Sequence, residues 1–197
     1  MHLNPLTKIL LTGLPGCGKT TAVMRILEGL KGVKAAGFYT EEIRKGGRRE
    51  GFRWKRLDGK EGILSHIEIE GNTSVGSYGM NTTDSETARA RCPRHVGRYG
   101  VDVVGFERDV VPVLELGQAD VELFVVDEIG KMECMSRKFI EAMRRLLEGS
   151  KSVVATIALK GGGFISEAKK MAGIELITMN ERNREAVIEQ IQKKLLQ

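Results

Sequence analysis

Short apolar runs recur along this chain, separated by stretches whose apolar positions fall at helical spacing. That alternation predicts parallel strands joined by helices. The first run, Lys8-Ile9-Leu10-Leu11-Thr12, reads as a short buried strand, and the segment from Thr21 to Leu30 reads as the helix after it. Val121–Val126, Val153–Leu159 and Ile174–Thr178 repeat the strand pattern. Helices are expected from Glu107 to Leu116 despite Pro112, from a Ser136 cap to about Leu147, from Ile165 to Met171, and from Glu181 to Leu196.

A different pattern interrupts this one. Val33 to Ile43 looks like a strand, Arg44 to Arg49 a turn around Gly46-Gly47, and Gly51 to Leu57 alternates apolar with charged residues. Two such runs around a Gly-Gly predict an antiparallel hairpin, which Asp58-Gly59 turns into a third strand, Ile63 to Ile69. Residues 71–98 open on glycine, serine, threonine and asparagine and contain Cys92-Pro93, so a long surface excursion is expected there. The reading is a single domain over residues 1–197, α/β and three-layered, with a mostly parallel sheet. An antiparallel hairpin and irregular insertion occupy about 44–98 within it.

Composition changes this picture little. At 197 residues, with 41% apolar and 29% charged residues, the chain suits one core. No apolar run approaches the roughly 20 residues that span a bilayer, so no membrane role is expected. The N-terminal apolar stretch belongs to the first strand rather than to a signal peptide, so a cytoplasmic protein is expected. Three cysteines (Cys17, Cys92, Cys134) make no C-x-x-C pair, and their odd number argues against a disulfide framework. Cys17 would be open to oxidation or alkylation if its surroundings are accessible. His2, His66 and His95 are scattered without metal-ligand spacing.

Charge matters more. The net charge is +5, and Arg44 to Lys60 alone holds eight Lys/Arg against two acids. A second cluster comprises Arg89, Arg91, Arg94 and Arg98. Such clusters fit a solvated face or arginines gathered around a polyphosphate, and no nucleic-acid fold signature accompanies them.

The strongest chemical signal is Gly13-Leu14-Pro15-Gly16-Cys17-Gly18-Lys19-Thr20, which fits G-x-x-x-x-G-K-[ST] between a predicted strand and a predicted helix. Glycines let a loop turn its N–H groups inward, and the helix N-terminus adds positive potential, so together they attract phosphates. Gly13, Leu14, Pro15, Gly16, Cys17, Gly18, Lys19, Thr20 and Thr21 are therefore the candidate nucleotide-binding residues. Lys19 would reach the β- and γ-phosphates, and the Thr20 hydroxyl would ligate Mg²⁺. Val121–Val126 ends in Asp127-Glu128, which puts carboxylates at the edge of the sheet where ligands bind. Asp127 is the second candidate ligand of Mg²⁺, and Glu128 the candidate base for the attacking water. A kinase must exclude water, so a carboxylate poised to activate it favours hydrolysis. Thr156 is a candidate γ-phosphate sensor, Lys160 and glycines 161–163 candidate cleft residues, and Lys131 and Glu133 a candidate pair at the rim.

Several strings together resemble a known family. They are GLPGCGKTT, GFYTEEIRKGGRREGF, VGRYGVDV, VVDEIGKME and TIALKGGGF, in that order. The chain is similar to small P-loop nucleoside-triphosphatases of the thermophile type, called cancer-related nucleoside-triphosphatase in animals. The resemblance implies a RecA-like sheet and slow Mg²⁺-dependent hydrolysis of ATP, GTP and other triphosphates to the diphosphate. It also implies that the Glu after the Asp, Glu128 here, activates water. Arg48, Arg49 and Arg98 match the family's basic positions without an assigned role, and 66–94 does not align with its shorter connection. Two other readings stay open: a nucleotide or nucleoside kinase with residues 89–98 as a lid, and a nucleic-acid-stimulated ATPase. The oligomeric state is open, with a monomer the simplest expectation.

Overall fold

The computed structural model describes Leu3 and residues 6–69, 94–115, 117 and 120–196. Among these are nine strands: β1 (Lys8–Thr12), β2 (Ala35–Lys45), β3 (Arg48–Arg56), β4 (Glu61–His66), β5 (Arg94–Val96), β6 (Tyr99–Val101), β7 (Leu123–Ile129), β8 (Ser152–Ile157) and β9 (Glu175–Thr178). They form one sheet in the order β5-β6-β4-β3-β2-β7-β8-β1-β9. From β2 to β9 every neighbouring pair is parallel, and from β2 to β5 every pair is antiparallel. This is the RecA-like α/β sheet with an antiparallel extension.

Strand alternation builds two cores, one on each face. Leu10, Phe124, Val126, Val153 and Ala155 point to one face, and Ile9, Leu11, Leu123, Val125 and Val154 to the other. Both faces are covered, which is why these strands read as unbroken apolar runs. Helices α1 (Lys19–Gly29) and α5 (Arg184–Leu195) cover the second face through Val23, Ile26, Ile188 and Ile191. The first face is covered by α2 (Val103–Asp109), α3 (Arg137–Glu148) and α4 (Phe164–Ala168). At its centre Phe38, Phe106 and Phe139 meet edge-on or tilted, with ring centroids 5.4 to 6.2 Å apart.

Two expectations shift. The helix expected over 107–116 instead begins at Val103, where the Asp102 carboxylate accepts a hydrogen bond from the Gly105 N–H at 2.9 Å. It stops at Asp109, because the ring of Pro112 would strike the carbonyl of Arg108 in a continuing α-helix; a 3₁₀ turn follows, Val111–Leu114. The predicted turn at 44–49 is mostly strand: β2 and β3 run to Lys45 and Arg48, and Gly46 and Gly47 alone link them, with φ of 56° and 78°. A two-residue turn positive at both positions matches strand twist, which is why glycines stand there. Most of the 71–98 excursion lies outside the described residues; its last part forms the β5–β6 hairpin.

Candidate active site

The site is built at the C-terminal edge of the parallel strands. β1 runs straight into the loop Gly13–Gly18, and α1 starts at Lys19. Gly16 and Gly18 take φ of 79° and 89°, left-handed values that only glycine adopts without strain. The Cys17 N–H donates to the Leu14 carbonyl at 3.3 Å, closing the turn. Lys19 arches over the loop, its ammonium donating to the Gly13 and Leu14 carbonyls at 3.2 Å each. The outer side of the loop rests on the segment before α5, and the Arg184 guanidinium packs against Gly18.

β7 delivers the two acids. Between Val126 and Ile129 it advances three residues while β8 advances two, from Ala155 to Ile157. Such a bulge re-aims side chains at a strand end. Asp127 is buried and fully engaged: its Oδ2 accepts from the Thr20 hydroxyl at 2.7 Å, and its Oδ1 from the Thr156 hydroxyl at 2.7 Å. Thr40 on β2 adds its hydroxyl at 3.4 Å and its N–H at 3.5 Å. Glu128 is only half-buried and lines the same cleft as Lys19, Thr20 and Thr21. Burial, then the Asp127 carboxylate, push its carboxyl above the ordinary range, while Lys19 pulls it back.

The cleft encloses about 740 Å³, and its far wall comes from the hairpin: Thr40, Glu42, Arg49 and Phe52. Ala158, Leu159 and Lys160 close the third side. The loop residues Gly13 to Gly18 line it too, except Cys17. Cys17 is buried, its thiol directed at the Met179 carbonyl at 3.6 Å, so the condition set for its oxidation or alkylation is not met: the loop packs on the β9 side through this position.

Other expectations are also redrawn. Thr156 is fully buried behind Asp127 and orients that carboxylate rather than facing the cleft. Glu133 does not sit at the rim with Lys131. It is buried, accepts from the Gly130 N–H at 3.1 Å, and is pushed up to about 8 by burial and then by Glu128. Glycines 161–163 are not among the lining residues, whereas Lys160 is. Arg89 and Arg91 lie outside the described residues, and Arg98 donates to the Tyr99 hydroxyl at 3.2 Å on the β5–β6 hairpin. Thr40, Glu42 and Phe52 were not singled out as site residues. The only signal for them is that all three fall within GFYTEEIRKGGRREGF, a string whose first strand is brought to Asp127 by pairing with β7.

A sequence model described as NTPase matches residues 8–94 and 85–192. The chain belongs to that family. It is 36% identical over 184 residues to the nucleoside-triphosphatase THEP1 of Thermotoga maritima, covering 93% of this chain and 92% of the relative. The human cancer-related nucleoside-triphosphatase is 34% identical over 193 residues, with 93% of each chain covered. The crystal structure of THEP1 from Aquifex aeolicus superposes with a TM-score of 0.78 at 32% identity, over 97% of this chain and all of that one. The family explains why the specific strings around the hairpin and β7 accompany a phosphate loop that many enzymes share.

Proposed function

We propose that this protein hydrolyses nucleoside 5′-triphosphates to the diphosphate and inorganic phosphate, with Mg²⁺. One observation carries the reading: Glu128 opens onto the same cleft as Lys19 and the Thr20–Asp127 pair, so an acid stands where the far end of a bound triphosphate would lie. The curated relatives named nucleoside-triphosphatases point the same way.

The chain's own residues divide the work. Pro15 has no N–H, and that of Cys17 is bonded to the Leu14 carbonyl. The loop N–H groups that stay open and the ammonium of Lys19 hold the β- and γ-phosphates. Thr20 and Asp127 offer hard oxygen donors 2.7 Å apart, the donor set Mg²⁺ prefers. Among the described residues no three His, Cys, Asp or Glu side chains cluster as a metal site. Most remaining ligands would then be water and phosphate oxygens, as is usual for this ion. When bound, Mg²⁺ neutralises charge on the β- and γ-oxygens. Thr156 and Thr40 hold the Asp127 carboxylate in place. Glu128 accepts the proton of a water whose oxygen bonds to the γ-phosphorus. The bond from that phosphorus to the β,γ-bridging oxygen breaks, and the diphosphate leaves with the electron pair. A carboxyl raised by burial is the better base at neutral pH. The lining loop and Lys19 suit phosphates, which all nucleoside triphosphates share, and this supports a broad range of substrates including ATP and GTP.

Replacement of Glu128 by Gln tests the assignment. Phosphate release should fall by about 10²-fold or more while affinity for a fluorescent nucleotide is kept. Unchanged turnover removes Glu128 from the mechanism. Phosphate release from wild-type protein should also be unaffected by a panel of nucleoside monophosphates. Acceptor-dependent product in its place would mark a kinase.

A further inference from the structure

The hairpin wall of the cleft has its own chemistry, separate from the acids of β7. Arg49, on β3 just past the Gly46-Gly47 turn, lines the cleft that Lys19, Thr20 and Glu128 line from the other side. Its guanidinium lies over the Phe52 ring at 5.0 Å and the Tyr99 ring at 5.7 Å. Nε donates to the Tyr99 hydroxyl at 3.1 Å, and Nη1 donates to Glu42 Oε1 at 2.8 Å. The other Glu42 oxygen accepts from Arg44 Nε at 2.7 Å. Arg98 donates to the Arg49 carbonyl at 2.6 Å and so fixes the backbone from which the side chain extends.

We propose that Arg49 is the second phosphate-binding cation of the cleft, engaging the terminal phosphoryl group from within the same chain, and that Glu42 is the latch it leaves to do so. The inference rests on the triphosphatase reading and adds a subsite to it.

Four observations support this. Arg49 faces the cleft with 42% of its side chain exposed, and the contacts above engage only some of its five N–H donors. Two aromatic faces hold its plane, and a planar, weakly hydrated guanidinium suits bidentate binding of a phosphoryl group. The neighbouring Arg48 shares the charge but not the setting: it is exposed and absent from the cleft wall. Glu42 also lines the cleft and carries a single charge, whereas a terminal phosphate presents up to two charges and three acceptor oxygens. A triphosphate can therefore draw the guanidinium from Glu42, and a diphosphate, which ends one phosphate short, cannot. The device discriminates substrate from product.

The test measures binding and chemistry separately, in the full chain with Mg²⁺. Affinities for ADP and for a non-hydrolysable imido analogue of ATP are measured by calorimetry, and single-turnover phosphate release is followed with ATP. Arg49→Ala should weaken the analogue about tenfold or more, leave ADP within about twofold, and slow phosphate release by about 10³-fold. Glu42→Gln should tighten the analogue and leave ADP unchanged. Arg48→Ala should alter neither nucleotide nor rate. Equal effects of Arg49→Ala on ADP and analogue, or no effect on either, overturn the proposal, as does a Glu42→Gln variant that binds the analogue more weakly. If Arg49→Ala fails to fold, Arg49→Lys, together with Glu42→Gln, decides it. Lys should keep most of the charge-dependent binding and lose most of the rate. The analogue arm reads Arg49 even in a protein that releases no phosphate, so failure of the triphosphatase reading is distinguishable from failure of this one.

Discussion

Asp127, Glu128 and Glu133 show how three carboxyls within seven positions acquire different chemistry from their surroundings. Asp127 is surrounded by hydroxyl donors, Glu128 opens to the cleft, and Glu133 is enclosed beside the Gly130 N–H. Burial first, and Glu128 second, push Glu133 up to about 8, so in the folded protein it carries a proton at neutral pH. An unfolded glutamate titrates near 4.3. Between those two values the folded state binds the extra proton, so the stability associated with this group is complete at low pH and is lost progressively as pH rises to about 8. Glu133→Gln keeps a neutral hydrogen-bonding side chain at every pH. Its urea midpoint, compared with wild type at pH 5, 6.5 and 8, should show an advantage that grows with pH. An equal gap at all three would place the group's titration elsewhere. Lys19, Thr20, Asp127 and Glu128 were legible because a glycine loop and a strand end fix their positions by spacing alone. Glu133 was not, because sequence does not record which acid the chain buries.

At the scale of elements, apolar runs marked the parallel strands well because both sheet faces are covered. Boundaries moved where local hydrogen bonds outweighed periodicity. The Asp102 cap drew α2 toward the N-terminus, and Pro112 cut it short. The Ser136 cap is legible in the sequence and present in the structure because a hydroxyl before an apolar-periodic run has a single mechanism. Its Oγ accepts from the Phe139 N–H at 2.9 Å and donates to Glu107 at 2.7 Å, tying α3 to α2. Ser136→Ala removes both bonds at a buried position, so denaturant unfolding should show a loss of about 1–2 kcal/mol. Ser136→Thr, which keeps the hydroxyl, should recover part of it. An Ala variant as stable as wild type would mean that the cap has been replaced by solvent. Phosphate release should be little affected, since this joint lies on the face of the sheet away from α1.

For the whole molecule, the excess of positive charge is the signal that folding changes most, because a count along the chain cannot show what lies across a strand. Eight cations from Arg44 to Lys60 stand against two acids in that window, and a nucleic-acid surface follows naturally from such a number. The antiparallel sheet brings acids from outside the window or across a turn onto most of those cations. Arg44 and Arg49 pair with Glu42, Arg53 with Glu61, Lys55 with Glu41 and Glu61, and Arg56 with Asp58. Lys45, Arg48 and Lys60 are left without an ion pair among the described residues. Nucleic-acid affinity grows with the number of phosphates neutralised, and each contact steepens the dependence on salt. Lys45 and Arg48 face each other beside the Gly46-Gly47 turn, and Lys60 stands apart. So few unpaired cations make a poor track for a charged backbone, and the hairpin is expected to serve the nucleotide cleft rather than a polymer. Replacing Lys45, Arg48 and Lys60 together by Ser should change affinity for RNA or duplex DNA by no more than about threefold at low salt. Nucleoside-triphosphate turnover should be the same with and without added nucleic acid. A loss of affinity far beyond that, with a visibly flatter salt dependence, would show that ion pairs across the strands open to hold nucleic acid. The hairpin would then have a second ligand besides the terminal phosphate that Arg49 faces.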